Sequence, residues 1–176
     1  MTSPAAPTSS PATPARVAIA VLVVGMVAMW GYVLYLAFGP GRQAPPDRLS
    51  DPAFSIAAER RCGAALAEIA TLPRAVETPD NVERAEVVVR ANGFIAAMLD
   101  DLDRFVPAGE DGELVQAWLT DWRTYLNDRT EYAAALRSDP AARLLVSAKD
   151  RDQITEHLDA FAADNRMPAC ATPLDV

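Results

Sequence analysis

Histidine occurs once in this chain, lysine once and cysteine twice. A single histidine, His157, leaves little for a catalytic triad or a histidine-built metal site. Two cysteines exclude both a disulfide-dense miniprotein and a cysteine-rich zinc module. Positive charge is also short: 16 basic residues face 24 acidic ones, for a formal charge of −8 and a pI near 4.6. That balance argues against electrostatic capture of nucleic acid or anionic lipid. The motifs GxSxG, HExxH, GxGxxG, CxxC and the P-loop do not occur. No catalytic residue, metal or cofactor is therefore assigned, and a non-enzymatic role is expected.

The acids do not compensate for these gaps. Asp100, Asp101 and Asp103, and likewise Asp150 and Asp152, could offer oxygens to calcium, but neither group has the spacing of a calcium loop. They read as solvated helix faces. His157, at helical spacing from Ile154 and Phe161, reads as a structural histidine on or beside the inward stripe.

What the chain has in excess is apolar residues, 51% of the total, unevenly spread. Val17 to Phe38 (VAIAVLVVGMVAMWGYVLYLAF) carries no charge and no Pro, Asn or Gln. As a helix rising about 1.5 Å per residue it reaches roughly 33 Å, enough for a hydrocarbon core of about 30 Å. Only a helix satisfies its own backbone there. Trp30, Tyr32 and Tyr35 crowd its second half, where their polar edges suit the headgroup boundary. A cleaved signal peptide has a shorter apolar core, and a buried soluble helix rarely runs so far uncharged. The segment is read as a retained signal-anchor at the plasma membrane, its partner the lipid bilayer. Before it, residues 1–16 form a Pro/Ser/Thr/Ala-rich tail expected to be disordered. After it, 39–50 (GPGRQAPPDRLS) reads as a Pro/Gly-rich stalk.

Flanking charge barely orients the anchor. Arg16 and the amino terminus precede it, while Arg42 and Arg48 follow with Asp47 between them, a near tie that leans slightly towards a cytoplasmic C-terminus. The cysteines point the other way. Cys62 lies near the start of the soluble part and Cys170 near its end, a placement that suits one closing disulfide, persistent only in an oxidising compartment. Such a bridge closes a loop of about 108 residues, for which chain entropy gives roughly 4–5 kcal/mol. Two unrelated buried thiols are the alternative. The expected topology is a cytoplasmic tail and an extracytoplasmic C-terminal domain.

Residues 51–176 show helical periodicity throughout. Ser50-Asp51-Pro52 starts a helix that Pro73 closes, with Phe54, Cys62, Leu66, Ile69 and Ala70 recurring. Thr78-Pro79-Asp80 starts a second, capped by the Thr78 hydroxyl, with Val82, Ala85, Val88, Val89, Ile95, Leu99, Leu102 and Phe105. A third begins near Asp111-Gly112-Glu113 and carries Leu114, Trp118, Trp122, Tyr125, Tyr132 and Leu136 on one stripe. Asp139-Pro140 opens a short turn or helix through Leu145, and a last helix runs from about Lys149 to Asn165. No stretch alternates with period two, and no Asn-Gly or Asp-Gly joins apolar runs. The fold class expected is all-α: the transmembrane helix, then an antiparallel bundle of four to five helices.

Two polar residues interrupt the stripes: Asn92 between Val88 and Ile95, and Arg129 between Tyr125 and Tyr132. A buried guanidinium must be paired, so an internal polar cluster is expected, with a carboxylate from a neighbouring helix on Arg129 and Asn92 nearby. A pocket beside Arg129 would favour ligand binding; a packed core would not.

Three passages, RRCGAALAEIATLP (Arg60 to Pro73), WLTDWRTYLNDRTEYA (Trp118 to Ala133) and FAADNRMPACATPLDV (Phe161 to Val176), together resemble an uncharacterised group of small actinobacterial single-pass membrane proteins with one helical, two-cysteine domain. Fifteen Arg against one Lys suits such a GC-rich source. The residues most characteristic of the resemblance are Cys62, Trp118, Asp121, Trp122, Asp128, Arg129, Asn165, Met167 and Cys170. It implies kinship and carries no activity. The function expected is a membrane-anchored interaction or accessory subunit of a cell-envelope assembly, with a protein partner there. The alternatives are a small-ligand or cation-binding module and a cytoplasm-facing adaptor.

Overall fold

The computed structural model describes residues 14–39 and 45–175. Most of the expected tail (1–13) and the middle of the expected stalk (40–44) lie outside the described residues. The chain divides into two compact units, Met1–Ala44 and Pro45–Val176.

In the first unit the described residues form one helix, α1 (Pro14–Phe38). It opens three residues ahead of the apolar run, since proline suits a first-turn position whose N–H would lack a helical partner anyway. Over Arg16–Phe38 its mean hydropathy is 2.4 and none of it is buried. It is long and apolar enough to cross a membrane. Trp30, Tyr32 and Tyr35 are exposed along its second half.

The second unit contains α2 (Ala53–Ile69), α3 (Asn81–Asp103), α4 (Glu110–Leu136) and α5 (Ile154–Asp164), with 3-10 turns at Ala75–Glu77 and Pro168–Cys170. Helix α3 packs on α2 and α4, α4 packs on α5, and the Pro168–Cys170 turn touches both α2 and α5. The main core joins Phe54, Cys62 and Ile69 to Ile95, Leu99 and Leu102, to Val115, Trp118, Leu119 and Trp122, and to Leu158 and Phe161. A smaller one gathers Ala75, Ala85, Val87, Val88, Ala133 and Leu136. The aromatic side chains are in register: Trp118 stacks on Phe161 at 5.1 Å and meets Phe54 and Trp122 edge-on, and Trp122 meets Tyr125.

Local chemistry sets the helix boundaries. At α2 the Asp51 carboxylate accepts the Ala53 N–H at 2.8 Å. At α3 the cap is Asp80, whose carboxylate accepts the Glu83 N–H at 2.8 Å, and not Thr78 as the sequence suggests. The Thr78 hydroxyl instead donates back to the Arg74 carbonyl, closing the preceding 3-10 turn. Before α4, Gly109 takes φ 76°, and the Pro107 carbonyl folds over Gly112 so closely that a Cβ there would lie 2.1 Å from it. Helix α5 ends in a Schellman motif: Met167 N–H donates to Ala162 O, Arg166 N–H donates to Ala163 O, and Arg166 sits at φ 58°.

The structure departs from several expectations. Residues 45–50, expected as stalk, fold with the second unit, and Leu49 is buried. Val82, Val89 and Phe105, expected inward, are exposed; the Arg61 guanidinium lies over the Phe105 ring at 3.7 Å. Of the turn or helix expected from Asp139 to Leu145 the structure has a turn, closed by Ala142 N–H on the Asp139 carbonyl, and Leu145 is exposed. The last helix starts five residues later than expected because a hairpin precedes it: β1 (Ala148–Lys149) pairs antiparallel with β2 (Asp152–Gln153). Its turn residues Asp150 and Arg151 have φ 51° and 80°, the left-handed pair of a primed turn without its usual glycine. Strands this short have no period to read.

Candidate functional site

Cys62 on α2 and Cys170 on the 3-10 turn are disulfide-bonded across 108 residues, with Cα atoms 5.1 Å apart and both side chains buried. The bond pins the segment after α5 onto the first helix of the unit. Around it the same segment is held by polar contacts. The Ala169 N–H donates to Glu59 at 2.9 Å, and the Thr172 N–H and hydroxyl both donate to the Asp159 carboxylate.

Arg129 lies one helical turn after Tyr125 on α4 and has no exposed surface. Its Nε donates to Asn92 Oδ1 of α3 at 2.7 Å. Its two terminal nitrogens donate to the two carboxylate oxygens of Asp175 at 2.8 and 2.6 Å. One of them also reaches the Tyr125 hydroxyl at 3.5 Å. Asn92 is itself buried and its amide nitrogen faces the Thr130 hydroxyl. The carboxylate thus comes not from a neighbouring helix, as the stripes suggest, but from the segment beyond the disulfide. Burial works against the guanidinium charge, and the hydrogen bonds and attraction of Asp175 outweigh it, so the Arg129 pKa stands above its ordinary value. Burial raises the Tyr125 pKa despite the nearby Arg129, keeping the phenol neutral.

The other polar residues singled out by the resemblance tie separate chain segments together. Asn165, buried at the end of α5, accepts the Leu49 N–H at 2.8 Å and donates to the carbonyls of Asp47 and Phe161. Asp128 accepts both the N–H and the hydroxyl of Ser147 at 2.8 Å. Asp121 pairs with Lys149 at 2.6 Å. His157, half-buried, has Nε2 3.0 Å from the Lys149 carbonyl, a contact that requires the proton on Nε2. Met167 is fully buried, and the Trp118 indole donates to the Leu158 carbonyl at 3.3 Å. Asp111, outside those passages, accepts the N–H groups of Ser50 and Asp51, which holds its carboxyl below the usual range.

These contacts fasten one chain segment to another. The described residues include no group of three or more His, Cys, Asp or Glu placed to hold a metal ion. Asp101 and Asp103 pair with Arg104 and Arg123. One surface pocket of about 300 Å³ touches the cluster. Ile69, Leu72, Pro73, Val87, Leu174 and Asp175 are among its lining residues, so the carboxylate that neutralises Arg129 also faces this opening.

Sequence reasoning misses Asp175 because one acid among 24 carries no mark of its partner. Asp111 is missed for the same reason. No protein-family model, curated protein or solved structure matches this chain.

Proposed function

We propose that this chain is a single-pass protein of the plasma membrane whose domain, an antiparallel helical bundle, faces outward. It acts there as a non-enzymatic interaction or accessory subunit of a cell-envelope assembly. The tail would be cytoplasmic, with Trp30, Tyr32 and Tyr35 at the headgroup boundary. The observation that carries the reading is the buried Cys62–Cys170 bond in a chain that also has an exposed, uncharged apolar helix. A disulfide of this kind persists outside the reducing cytosol, and it counts against the cytoplasm-facing adaptor. The non-enzymatic part draws on the site itself: Arg129, Asn92, Asp121, Asp128 and His157 all face partners within the fold. Kinship with the uncharacterised actinobacterial membrane proteins belongs to the same proposal.

A cation-binding role at Arg129 is disfavoured, since the group at its centre is itself a cation. The test is thiol counting by intact mass on full-length protein from its native membrane, alkylated before and after reduction. Blocked thiols that appear only on reduction, without a disulfide-linked dimer, support the outward domain. Two thiols that alkylate freely would reverse the orientation.

A further inference from the structure

We infer that Arg129, Asn92 and Tyr125 form a carboxylate-binding site which Asp175 of the same chain occupies, and that an external carboxylate on a short apolar stem enters by displacing it. The inference does not depend on which side of a membrane the domain faces.

Receptor and occupant are held very differently. Arg129 and Tyr125 lie on α4 and Asn92 on α3, inside packed helices with Asn92 Oδ1 fixing the guanidinium plane from one edge. That leaves the opposite edge of the fork for a planar, two-oxygen acceptor, the geometry guanidinium selects best. Asp175 supplies this acceptor from a segment with little else to hold it. Upstream, Cys170 is bonded to Cys62 and Thr172 is bound to Asp159. From Pro173 to Asp175 the hydrogen bonds among the described residues are those to Arg129, and Leu174 is 95% exposed. Pro173 is half-buried beside Cys62, Ile69 and Trp122, so the hinge for Asp175 lies at the Pro173–Leu174 junction, and its release leaves the disulfide and every helix in place.

The opening lies on the path of exchange. Because Asp175 both contacts Arg129 and lines the ≈ 300 Å³ pocket, its departure joins the guanidinium to that pocket. The walls contributed by Ile69, Leu72, Pro73 and Val87 are apolar, and the other charged lining residue, Arg74, is itself paired with Glu77. An incoming carboxylate replaces one bidentate ion pair by another, so no charge is left buried alone, and its stem covers the apolar wall. Asp175 competes, so the apparent affinity of the intact chain is the intrinsic one reduced by the fraction of chains with Asp175 released.

The experiment uses the full chain in detergent micelles, labelled with ¹⁵N-arginine, and follows the side-chain Nε–H signal of Arg129. The probes are 4-methylpentanoate, its uncharged amide, and sodium chloride at matched ionic strength. Asp175→Asn should move the Arg129 signal, and 4-methylpentanoate should return it saturably towards the wild-type position at a concentration roughly tenfold or more below that needed in wild type. The amide and chloride should do neither. A response of the variant that is absent, or equal for all three probes, overturns the proposal and leaves a structural ion pair. Should Asp175→Asn fail to fold, the wild type carries the test. In a second, uniformly ¹⁵N-labelled sample of the wild type, saturating 4-methylpentanoate must then perturb Arg129 and narrow the backbone amide signals of Leu174 and Asp175 together, and failure of either overturns the displacement. N-acetyl-leucine, titrated in parallel, separates the two sources of such a carboxylate. Tighter binding than 4-methylpentanoate assigns the site to a peptide terminus, and weaker binding assigns it to a small free acid.

Discussion

Asn165 and Leu49 lie 116 residues apart and are joined by a buried hydrogen bond of 2.8 Å from the Leu49 N–H to the Asn165 side chain. The same amide donates to the Asp47 carbonyl, so one side chain at the end of α5 ties down the segment that leads into α2. Asn165→Ala would leave the Leu49 N–H without its acceptor in a buried position, at a cost of about 2–3 kcal/mol. Asn165→Asp keeps that acceptor but turns a buried carboxylate oxygen towards the Asp47 and Phe161 carbonyls, and should be no more stable than alanine at neutral pH. Thermal melting of the full chain in detergent, followed by far-UV circular dichroism, ranks the three. Equal melting of alanine and wild type would remove the role given to Asn165.

The disulfide closes a covalent loop across 108 residues, and chain entropy assigns it about 4–5 kcal/mol of stability. Cys62→Ser/Cys170→Ser should lower the melting temperature accordingly, with helical content retained below the transition because the aromatic core does not depend on the bond. Both sulfurs are buried. In the wild type, reductant should therefore act slowly until denaturant opens the fold, a difference that timed alkylation reads directly.

Arg166 occupies the left-handed position after α5 at φ 58°, is exposed, and has no side-chain hydrogen bond among the described contacts. Glycine takes that conformation without a Cβ penalty, so Arg166→Gly should stabilise the domain by about 1 kcal/mol. A melting temperature that falls on this substitution would mean that the side chain contributes something the geometry does not reveal.

Asp111 ties the same lead-in segment to α4, and its acceptance of the Ser50 and Asp51 N–H groups lowers its folded pKa. A carboxyl depressed on folding contributes stability that is complete above its unfolded value, about 3.9, and is lost as pH falls through the lower folded value. Wild type should therefore lose more stability than Asp111→Asn between about pH 5 and pH 2.5. Comparing chemical denaturation of the two proteins at both pH values tests the sign, and a larger loss in the variant would contradict it.

Much of the second unit's layout is legible from residue order alone. Its four helices follow apolar spacing and capping chemistry, both local. Where reading fails, the determinant is not local. Thr78 reads as the cap of α3, yet both Thr78 and Asp80 have extended backbone, and it is the Asp80 carboxylate that accepts the Glu83 N–H while the Thr78 hydroxyl turns back to Arg74. Asp150 and Arg151 form a hairpin turn without glycine, held by a neighbouring network in which Lys149 binds Asp121 and Ser147 binds Asp128. Phe105 fits the apolar period yet is exposed beneath the Arg61 guanidinium.

The sequence by itself determined the apolar span, the helical class of the domain and the need for a partner wherever Arg129 was to be buried. These follow from composition, periodicity and the cost of desolvating a charge. Which partner it took was decided by the tertiary structure. Closure of the Cys62–Cys170 bond and the Thr172–Asp159 contact carry Asp175 across the fold to Arg129, and any acid brought to that point would satisfy the same electrostatic demand. Long-range pairing depends on where the packed helices place each segment, and that placement is a property of the whole core.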